Sequence, residues 1–271
     1  MYITNSPQVA SIAQLYGVDR VFVDLETLGK EERQKGVNSV KSHHKISDIC
    51  AIKPILTTSE MLVRINPINA QSENEIDQVI KAGADIIMLP MWKTLAEVQF
   101  FLSVVQKRVK TILLLETKEA IECIDDVLSS GGFDEIHVGL NDLHLSYGLT
   151  FMFELLSNGM IESLCNKFKA KSIPYGYGGI ARLGEGMLPA ENLVMEHYRL
   201  GSTRTILSRS FCNTDIITDV SEIDALFQQN MTDLKMFEEQ VTHMSAKELI
   251  ENKRFVDVKI QEIVNYIKSK E

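Results

Sequence analysis

Two short apolar runs, each ending in a carboxylate, constrain most strongly what this chain can fold into. Residues 111–117 contain Glu116 at the end of their apolar part, and residues 138–143 contain Asp142 in the same way. Such runs are typical of strands in a parallel sheet buried on both faces. In a (β/α)₈ barrel the strands end at the catalytic face, so both carboxylates are predicted to face one open space. Such a pair could hold Mg²⁺, or each acid could instead cap a helix.

The rest of the first 215 residues alternates between strand-like and helix-like segments. The predicted helices lie near residues 7–16, 73–82, 94–105, 118–129, 151–170 and 191–200. The predicted strands lie near residues 2–4, 21–26, 61–65, 85–90, 110–116, 135–139, 173–179 and 205–208. Alternation of this kind indicates βαβ units and a parallel sheet. We predict a TIM barrel over residues 1–215, with a long polar loop at residues 27–54.

Residues 216–271 are predicted to form a helical extension. Two helical stretches, 221–241 and 245–269, follow each other without a strand, and Ser245 with Glu248 fits a capping box. The last helix carries one apolar stripe. Its members are Leu249, Phe255, Val256, Ile260, Ile263, Val264 and Ile267. The stripe should pack on the outside of the barrel or on a second subunit; we favour the subunit, and therefore predict a homo-oligomer.

Charge and cysteine usage exclude several classes of protein. A net charge of −9 argues against a general nucleic-acid or anionic-membrane binder, because both need a basic surface. It does not exclude a small anionic substrate. The four cysteines have no C-x-x-C spacing, which is typical of free thiols in a reducing compartment. Neither a secretory signal nor an apolar run of ~18 residues is visible, so we predict a cytoplasmic protein.

Several segments in a fixed order resemble the HpcH/HpaI aldolase and citrate lyase β-subunit family. They are residues 23–26, 63–64, 82–85, 88–91, 115–120 and 136–143. The resemblance extends from about residue 2 to about residue 209. It implies a phosphoenolpyruvate/pyruvate-type barrel that cleaves or forms carbon–carbon bonds next to a 2-oxo acid or an acyl thioester. It also implies Mg²⁺, Mn²⁺ or another divalent metal on Glu116 and Asp142, with Arg64 binding the substrate carboxylate and oxo group.

The acid–base end of the site departs from the family pattern. Thr27 stands where the pyruvate aldolases have a histidine and the citrate lyase branch has an aspartate, and His144 stands where a small hydroxyl residue is expected. His144 could be the replacement acid or base, or it could form only a supporting hydrogen bond. His43 and His44, in the long loop, could fill the same role or be exposed loop residues. We predict Arg64, His144 and His44 as the catalytic residues.

Other polar and glycine positions complete the predicted site. Asp24 and Glu26 end a predicted strand and could hold metal-bound waters. The remaining predicted substrate contacts, besides Arg64, are Gly139, Asn141, Asp142, Tyr175 and Gly178. Glycines near the seventh strand would let backbone N–H groups approach a ligand. The alternative is a loop that contains glycines only because its backbone needs unusual φ angles.

The function predicted from these residues is a metal-dependent carbon–carbon lyase or aldolase that acts on a 2-oxo acid through a pyruvate-type enolate. The first alternative is an acyl-CoA thioester lyase of the citrate lyase or malyl-CoA type. Coenzyme A phosphates need a basic rim, and Arg182, Arg204 and Lys30 offer only a thin one. The second alternative is a non-catalytic barrel that serves as a binding protein. The predicted partner is a small-molecule carboxylate.

Overall fold

The computed structural model describes residues 1–29 and 43–270, and its strands form a closed parallel barrel. The strands neighbour one another in chain order, which confirms the predicted TIM barrel. Their bounds are β1 Tyr2–Ile3, β2 Arg20–Asp24, β3 Glu60–Arg64, β4 Ile86–Leu89, β5 Lys110–Leu115, β6 Glu135–Val138, β7 Tyr175–Ile180 and β8 Arg204–Leu207. Part of the predicted long loop, including Lys30, lies outside the described residues.

The helices that precede β7 follow the predicted order, with four differences. They are α1 Pro7–Leu15, α2 Ile46–Ile52 with a 3₁₀ turn Lys53–Ile55, α3 Ser72–Ala82, α4 Leu95–Val105, α5 Lys118–Glu122, α6 Ile124–Ser130, α7 Leu140–Ser146, α8 Glu154–Ser157 and α9 Met160–Ala170. The helix predicted over 118–129 is in fact two, α5 and α6, which meet at Cys123. The helix predicted over 151–170 is in fact two helices, α8 and α9. Gly159, with a φ of 82°, lies between them and is the N-cap of α9. Helix α7 lies where no helix was predicted, and α2 lies inside the segment 27–54 that was predicted to be a loop.

The chain divides into two compact units, Met1–His137 and Val138–Glu271. In the first unit, β2 pairs with β3 in a register that sets Asp24 opposite Arg64. The whole of β2 is buried, as the apolar run predicts. The last residues of β2 and β3 therefore lie side by side at the carboxyl end of the sheet.

In the second unit, the glycine-rich segment belongs to strand β7, as predicted, and the alternative of a loop with unusual φ angles does not apply to it. Its pairing with β8 shifts register between Gly176 and Gly179. A Cβ on Gly176 would lie 2.2 Å from the carbonyl oxygen of Arg204, so only glycine allows the two strands to approach this closely. The glycines that suggested a flexible loop are thus required by strand packing.

Three long helices complete the second unit: α10 Ala190–Leu200, α11 Val220–Thr242 and α12 Ala246–Lys268. The predicted capping box of α12 is confirmed, because Ser245 N–H donates to Glu248 and Glu248 N–H donates to Ser245 Oγ. The apolar stripe packs on α8 and α10 of the same chain, where Val256 and Ile260 are buried, and Phe255 remains exposed. The stripe thus needs no second subunit to cover it, and the homo-oligomer stays a prediction. Within residues 1–29 and 43–270, no helix combines the length and apolarity needed to cross a membrane.

Candidate active site

An ion pair between the last residues of β2 and β3 forms the centre of the candidate site. Arg64 donates from Nε to Asp24 Oδ1 and from Nη2 to Asp24 Oδ2, each at 2.8 Å. Such bidentate pairs fix a guanidinium in one orientation. The ring of Phe22 lies 5.7 Å from Arg64 Cζ and supports it further. The third nitrogen, Nη1, donates no hydrogen bond to any residue in the described part of the chain.

Two more buried carboxylates act on the same guanidinium. Glu26 Oε2 lies 3.4 Å from Arg64 Nε, and Glu116 acts through its charge. Burial by itself lowers the pKa of Arg64, but the carboxylates of Asp24, Glu26 and Glu116 outweigh burial and raise that pKa above its ordinary value. Three buried carboxylates thus act on one guanidinium, and they hold its charge inside the protein.

Glu116 is not the cap of the helix that follows it. The cap of α5 is Thr117, whose hydroxyl accepts from Ala120 N–H at 3.1 Å and donates to the Trp92 carbonyl at 2.8 Å. Glu116 Oε1 instead accepts a hydrogen bond from Met91 N–H at 3.1 Å. The capping alternative is therefore excluded for Glu116, and its side chain, 3% exposed, belongs to the carboxylate cluster.

The segments that flank β2 place His44, and not Thr27, against this cluster. His44 is half-buried, and its Nδ1 accepts a hydrogen bond from Asp24 N–H at 3.0 Å, whereas His43 is exposed. Thr27 is exposed, and its N–H donates to Asn66 Oδ1 at 2.9 Å. Of the two neighbouring histidines, only His44 therefore touches the Arg64 ion pair, through the backbone of Asp24.

In the second unit, α7 carries most of the remaining predicted residues. Gly139 is its N-cap, without a side-chain hydrogen bond, and Asn141 and Asp142 lie half-exposed in its first turn. An acid in the first turn is favoured by the helix dipole, so this position is consistent with a purely local role for Asp142 as well as with metal binding. His144 is 8% exposed, and its Nδ1 lies 3.2 Å from the carbonyl oxygen of Leu140.

Tyr175 and Gly178, two predicted substrate contacts on β7, both have packing roles. The Tyr175 hydroxyl donates to the carbonyl oxygen of Leu200 at 2.6 Å, and its ring packs against Phe168. Burial raises the pKa of Tyr175 to about 12. Tyr175 thus holds the end of α10, and the structure gives no support to its predicted contact with substrate. Gly178 adopts a φ of +53°, and a Cβ there would lie 2.7 Å from Leu140 Cδ1.

This close approach predicts that Gly178→Ala will cost more stability than a glycine substitution with open space around it. Gly148 is the matched control, because its φ is +64° but a Cβ would meet nothing within 4 Å. Both variants carry left-handed backbone strain. Only Gly178→Ala adds overpacking against Leu140, so we expect it to be less stable than Gly148→Ala by about 1–3 kcal/mol in urea denaturation. Equal losses would contradict the close packing of α7 on β7.

Comparison with known proteins identifies the family. The family model described as HpcH/HpaI aldolase/citrate lyase matches residues 1–154. The chain belongs to the HpcH/HpaI aldolase/citrate lyase family. Its members are lyases and aldolases, so this membership supports a carbon–carbon lyase in general terms. No curated protein matches the chain.

Solved structures of this family share the fold. An HpcH/HpaI aldolase from Desulfitobacterium hafniense DCB-2 is 15% identical, with a TM-score of 0.59 over 76% of this chain and 84% of that one. A family protein from Burkholderia cenocepacia J2315 is 16% identical, with a TM-score of 0.57 over 76% and 86%. The citrate synthase SbnG is also 16% identical, with a TM-score of 0.57 over 77% and 84%. At these identities the similarity extends to the fold alone.

Family members are typically dependent on a divalent metal, and the donors in the first unit suit such an ion. Carboxylate oxygens are the ligands that Mg²⁺ and Mn²⁺ prefer, and Asp24, Glu26 and Glu116 supply such oxygens beside Arg64. Among residues 1–29 and 43–270, no group of three or more His, Cys, Asp or Glu side chains could hold a metal ion. Mg²⁺ is often held by only one or two protein carboxylates, with substrate and water as the other ligands.

The structure groups the predicted catalytic residues around Arg64 only in part. In the first unit, Arg64 is the common neighbour, because Asp24 binds it, Glu116 acts on its charge, and His44 binds the Asp24 amide. Sequence reasoning missed the Asp24–Arg64 pair and the role of Asn66. The pair could have been predicted, because Asp24 and Arg64 are the last residues of two strands that are neighbours in the barrel. Residues Gly139, Asn141, Asp142, His144, Tyr175 and Gly178 belong to the second unit.

Proposed function

We propose that this protein is a divalent-metal-dependent lyase or aldolase that cleaves or forms a carbon–carbon bond next to a 2-oxo acid. The observation that carries the proposal is the fixed guanidinium of Arg64 among buried carboxylates at the carboxyl end of β3. In barrels of this type, that end of the strands carries the chemistry. A permanently charged fork held in one orientation suits recognition of a carboxylate beside an oxo group.

Arg64 binds the substrate through the nitrogen that Asp24 does not engage. Nε and Nη2 are directed at Asp24, so Nη1 is the donor that we assign to the 2-oxo acid. Asp24 and Glu26 are 1% and 2% exposed, so the pair lies in a setting with little water. Electrostatic stabilisation is strongest in such settings, and it acts here on the negative charge of the enolate.

Glu116 and Asp142 are the residues that we assign to the metal, Mg²⁺ or Mn²⁺. When bound, the ion supplies Lewis-acid polarisation of the substrate oxo group. Glu116 is oriented for this role by the hydrogen bond from Met91 N–H, because that bond occupies Oε1. Asp142, half-exposed at the start of α7, is the second donor in the proposal.

His144 is the residue that we assign to proton removal. A carbonyl oxygen only accepts hydrogen bonds, so the contact with Leu140 requires the proton of a neutral His144 on Nδ1 and leaves Nε2 as an acceptor. In the cleavage direction, Nε2 takes the proton from the substrate hydroxyl. The carbon–carbon bond then breaks, its electron pair moves onto the 2-oxo fragment as an enolate, and the other fragment leaves as a carbonyl compound. A proton delivered to the enolate carbon completes the 2-oxo acid product.

Deuterium exchange tests this proposal without knowledge of the second product. An enzyme that forms the enolate exchanges the protons next to the oxo group with solvent deuterium. We expect metal-dependent exchange in pyruvate, 2-oxobutyrate or oxaloacetate, followed by NMR, and loss of exchange with a chelator. Rates equal to those of metal ions without protein, in all three acids, would contradict the lyase proposal.

The metal assignment predicts that Glu116→Gln and Asp142→Asn each weaken Mn²⁺ binding in the presence of oxalate by at least about tenfold, measured by calorimetry. Replacing a carboxylate by an amide removes a charged ligand but keeps the shape. Glu119→Gln is the matched control, because Glu119 lies nearby on α5 but is half exposed and pairs with Lys93. Unchanged affinity in both Glu116→Gln and Asp142→Asn would exclude these two ligands.

The two alternative functions receive less support. A coenzyme A thioester needs a basic rim, but Arg182 pairs with Glu185 and Arg204 donates to Thr203, while Lys30 lies outside the described residues. A non-catalytic barrel has no use for a buried guanidinium fixed in one orientation at the carboxyl end of β3, because burying a charge is costly. The lyase proposal uses that charge, so we prefer it.

A further inference from the structure

We infer that the backbone of Met91, held in a left-handed conformation after β4, is a positioning group for the carboxylate of Glu116. The inference rests on the proposed function, since it explains how the residue assigned to the metal keeps its orientation. Met91 acts through its main chain, so its side chain has no part in this role.

The backbone of Met91 differs from that of the other residues with a positive φ. In the described part of the chain, four residues other than glycine have a positive φ: Met91, Gln106, Lys107 and Ser172. Gln106 is the C-cap of α4, Lys107 follows it, and Ser172 comes just after the end of α9. Left-handed residues are usual at such helix ends. Met91, with a φ of 53°, instead lies two residues after the strand β4. A left-handed residue with a side chain at such a place indicates a local requirement.

Two hydrogen bonds in opposite directions join the chain after β4 to the chain after β5. Met91 N–H donates to Glu116 Oε1 at 3.1 Å. The carbonyl of the next residue, Trp92, accepts from the Thr117 hydroxyl at 2.8 Å. Trp92 is 1% exposed. On the other side of Met91, Pro90 is buried and its ring restricts its φ. Met91 therefore connects two fixed points.

The left-handed conformation joins these two points. The N–H of Met91 belongs to the peptide group shared with Pro90, and φ describes the rotation from that group to the chain that continues into Trp92. A residue that resists this φ must release either the bond to Glu116 or the buried position of Trp92. A single hydrogen bond contributes less than the burial of a tryptophan ring, so the bond to Glu116 should break first.

A main-chain donor suits a carboxylate that is to hold a cation. It fixes the carboxylate without adding a positive charge, whereas lysine or arginine in its place would repel the ion. Glu116 is 3% exposed, so little water is available to replace a lost donor. Partners that orient a metal-binding carboxylate typically change metal affinity or activity about 10–100-fold when they are removed. The unfavourable backbone of Met91 thus has a return in the orientation of Glu116.

Substitution of Met91 by residues with different φ preferences tests the inference. Glycine adopts a left-handed φ freely, alanine, like methionine, is unbranched at Cβ, and valine strongly disfavours this φ. All three keep the N–H. We expect Mn²⁺ affinity in the presence of oxalate, measured by calorimetry, to stay within about threefold of wild type in Met91→Gly and Met91→Ala. In Met91→Val it should fall about 10–100-fold.

Gln106→Val is the matched control. Gln106 has the same φ of 53°, but it is exposed at the end of α4, and its N–H donates to the Leu102 carbonyl. This variant adds the same backbone strain away from Glu116, so we expect lower stability in urea denaturation and unchanged Mn²⁺ affinity. A loss of affinity in Met91→Gly or Met91→Ala as large as in Met91→Val would overturn the inference. An equal loss in Gln106→Val would overturn it as well.

NMR tests the same hydrogen bond without metal and without Met91→Val, which could fail to fold. In protein labelled with ¹⁵N-methionine, the Met91 signal is the one that disappears in Met91→Ala. We expect its amide proton to move upfield in Glu116→Ala, which removes the acceptor, and to stay in place in Glu119→Ala. An unmoved signal in Glu116→Ala would contradict the inference. A wild-type protein that shows this dependence on Glu116 but binds no Mn²⁺ would support the positioning role and contradict the metal assignment of the proposed function instead.

Discussion

Arg64→Lys is expected to lower metal-dependent exchange of 2-oxo acids by about 10²–10³-fold, the usual effect of losing a preorganised donor to a developing oxyanion. Lysine keeps the positive charge but offers a single ammonium in place of a planar fork. The bidentate bond to Asp24 and the remaining donor cannot then be satisfied together. Arg108→Lys is the control, because Arg108 forms a partly exposed pair with Asp77 and otherwise binds backbone carbonyls at the end of α4. Exchange within a few-fold of wild type in Arg64→Lys would show that the fork does not bind substrate.

Arg64→Met separates the catalytic role of the charge from its structural role. Removing the guanidinium leaves Asp24, Glu26 and Glu116 buried without their common counter-charge. Breaking a buried ion pair typically costs about 3–5 kcal/mol, so we expect this variant to be less stable than Arg64→Lys. Added Mg²⁺ should recover part of that loss, since a cation that binds only the folded state stabilises it. Denaturation with and without the metal measures both effects.

Local patterns in the sequence were sufficient for the barrel. Strands such as β2 and β5 contain apolar runs of a few residues, and such a run indicates a buried strand without information from distant parts of the chain. The errors lie where the chain is locally ambiguous. Helix α7 was not predicted, because residues 138–143 were interpreted as an apolar run at the end of a strand. The stripe on α12 could be identified as buried from its spacing. The helices that cover it, α8 and α10, lie far away in sequence and could not be identified in the same way.

The candidate site could be predicted only as a set of residue types. Arg64 and Glu116 follow from their places at strand ends, and His44 was one of two neighbouring candidates. His44, and not His43, contacts Asp24. These two residues are 20 positions apart in the sequence, so no local pattern predicts the contact. The packing role of Tyr175 was not predicted, for a related reason. Alternation along β7 directs its ring to α9 and α10, and the neighbouring glycines gave the misleading impression of a loop.

A second buried ion pair lies at the opposite end of the strands. Breaking it should lower the stability of the protein strongly without affecting the reaction. Arg20 and Glu135 are the first residues of β2 and β6, and two bonds of 2.7 Å join them. Both are less than 10% exposed as side chains. Burial lowers the pKa of Arg20, but the hydrogen bonds and charge of Glu135 and Glu60 outweigh it and raise that pKa. The guanidinium therefore stays charged inside the protein and depends on Glu135.

Glu135→Ala should accordingly cost about 3–5 kcal/mol of unfolding free energy, because it leaves that charge buried without its main partner. This corresponds to a fall in Tm on the order of 10 °C for a chain of this size. Lys110→Gln is the matched control, since Lys110 is 55% exposed and binds Glu60 at the same end of the sheet, and exposed pairs contribute at most about 1 kcal/mol. The double variant Arg20→Met with Glu135→Leu removes both charges and fills the space with apolar atoms. We expect it to recover most of the loss, and a double variant as unstable as Glu135→Ala would show that packing, and not charge, accounts for the effect.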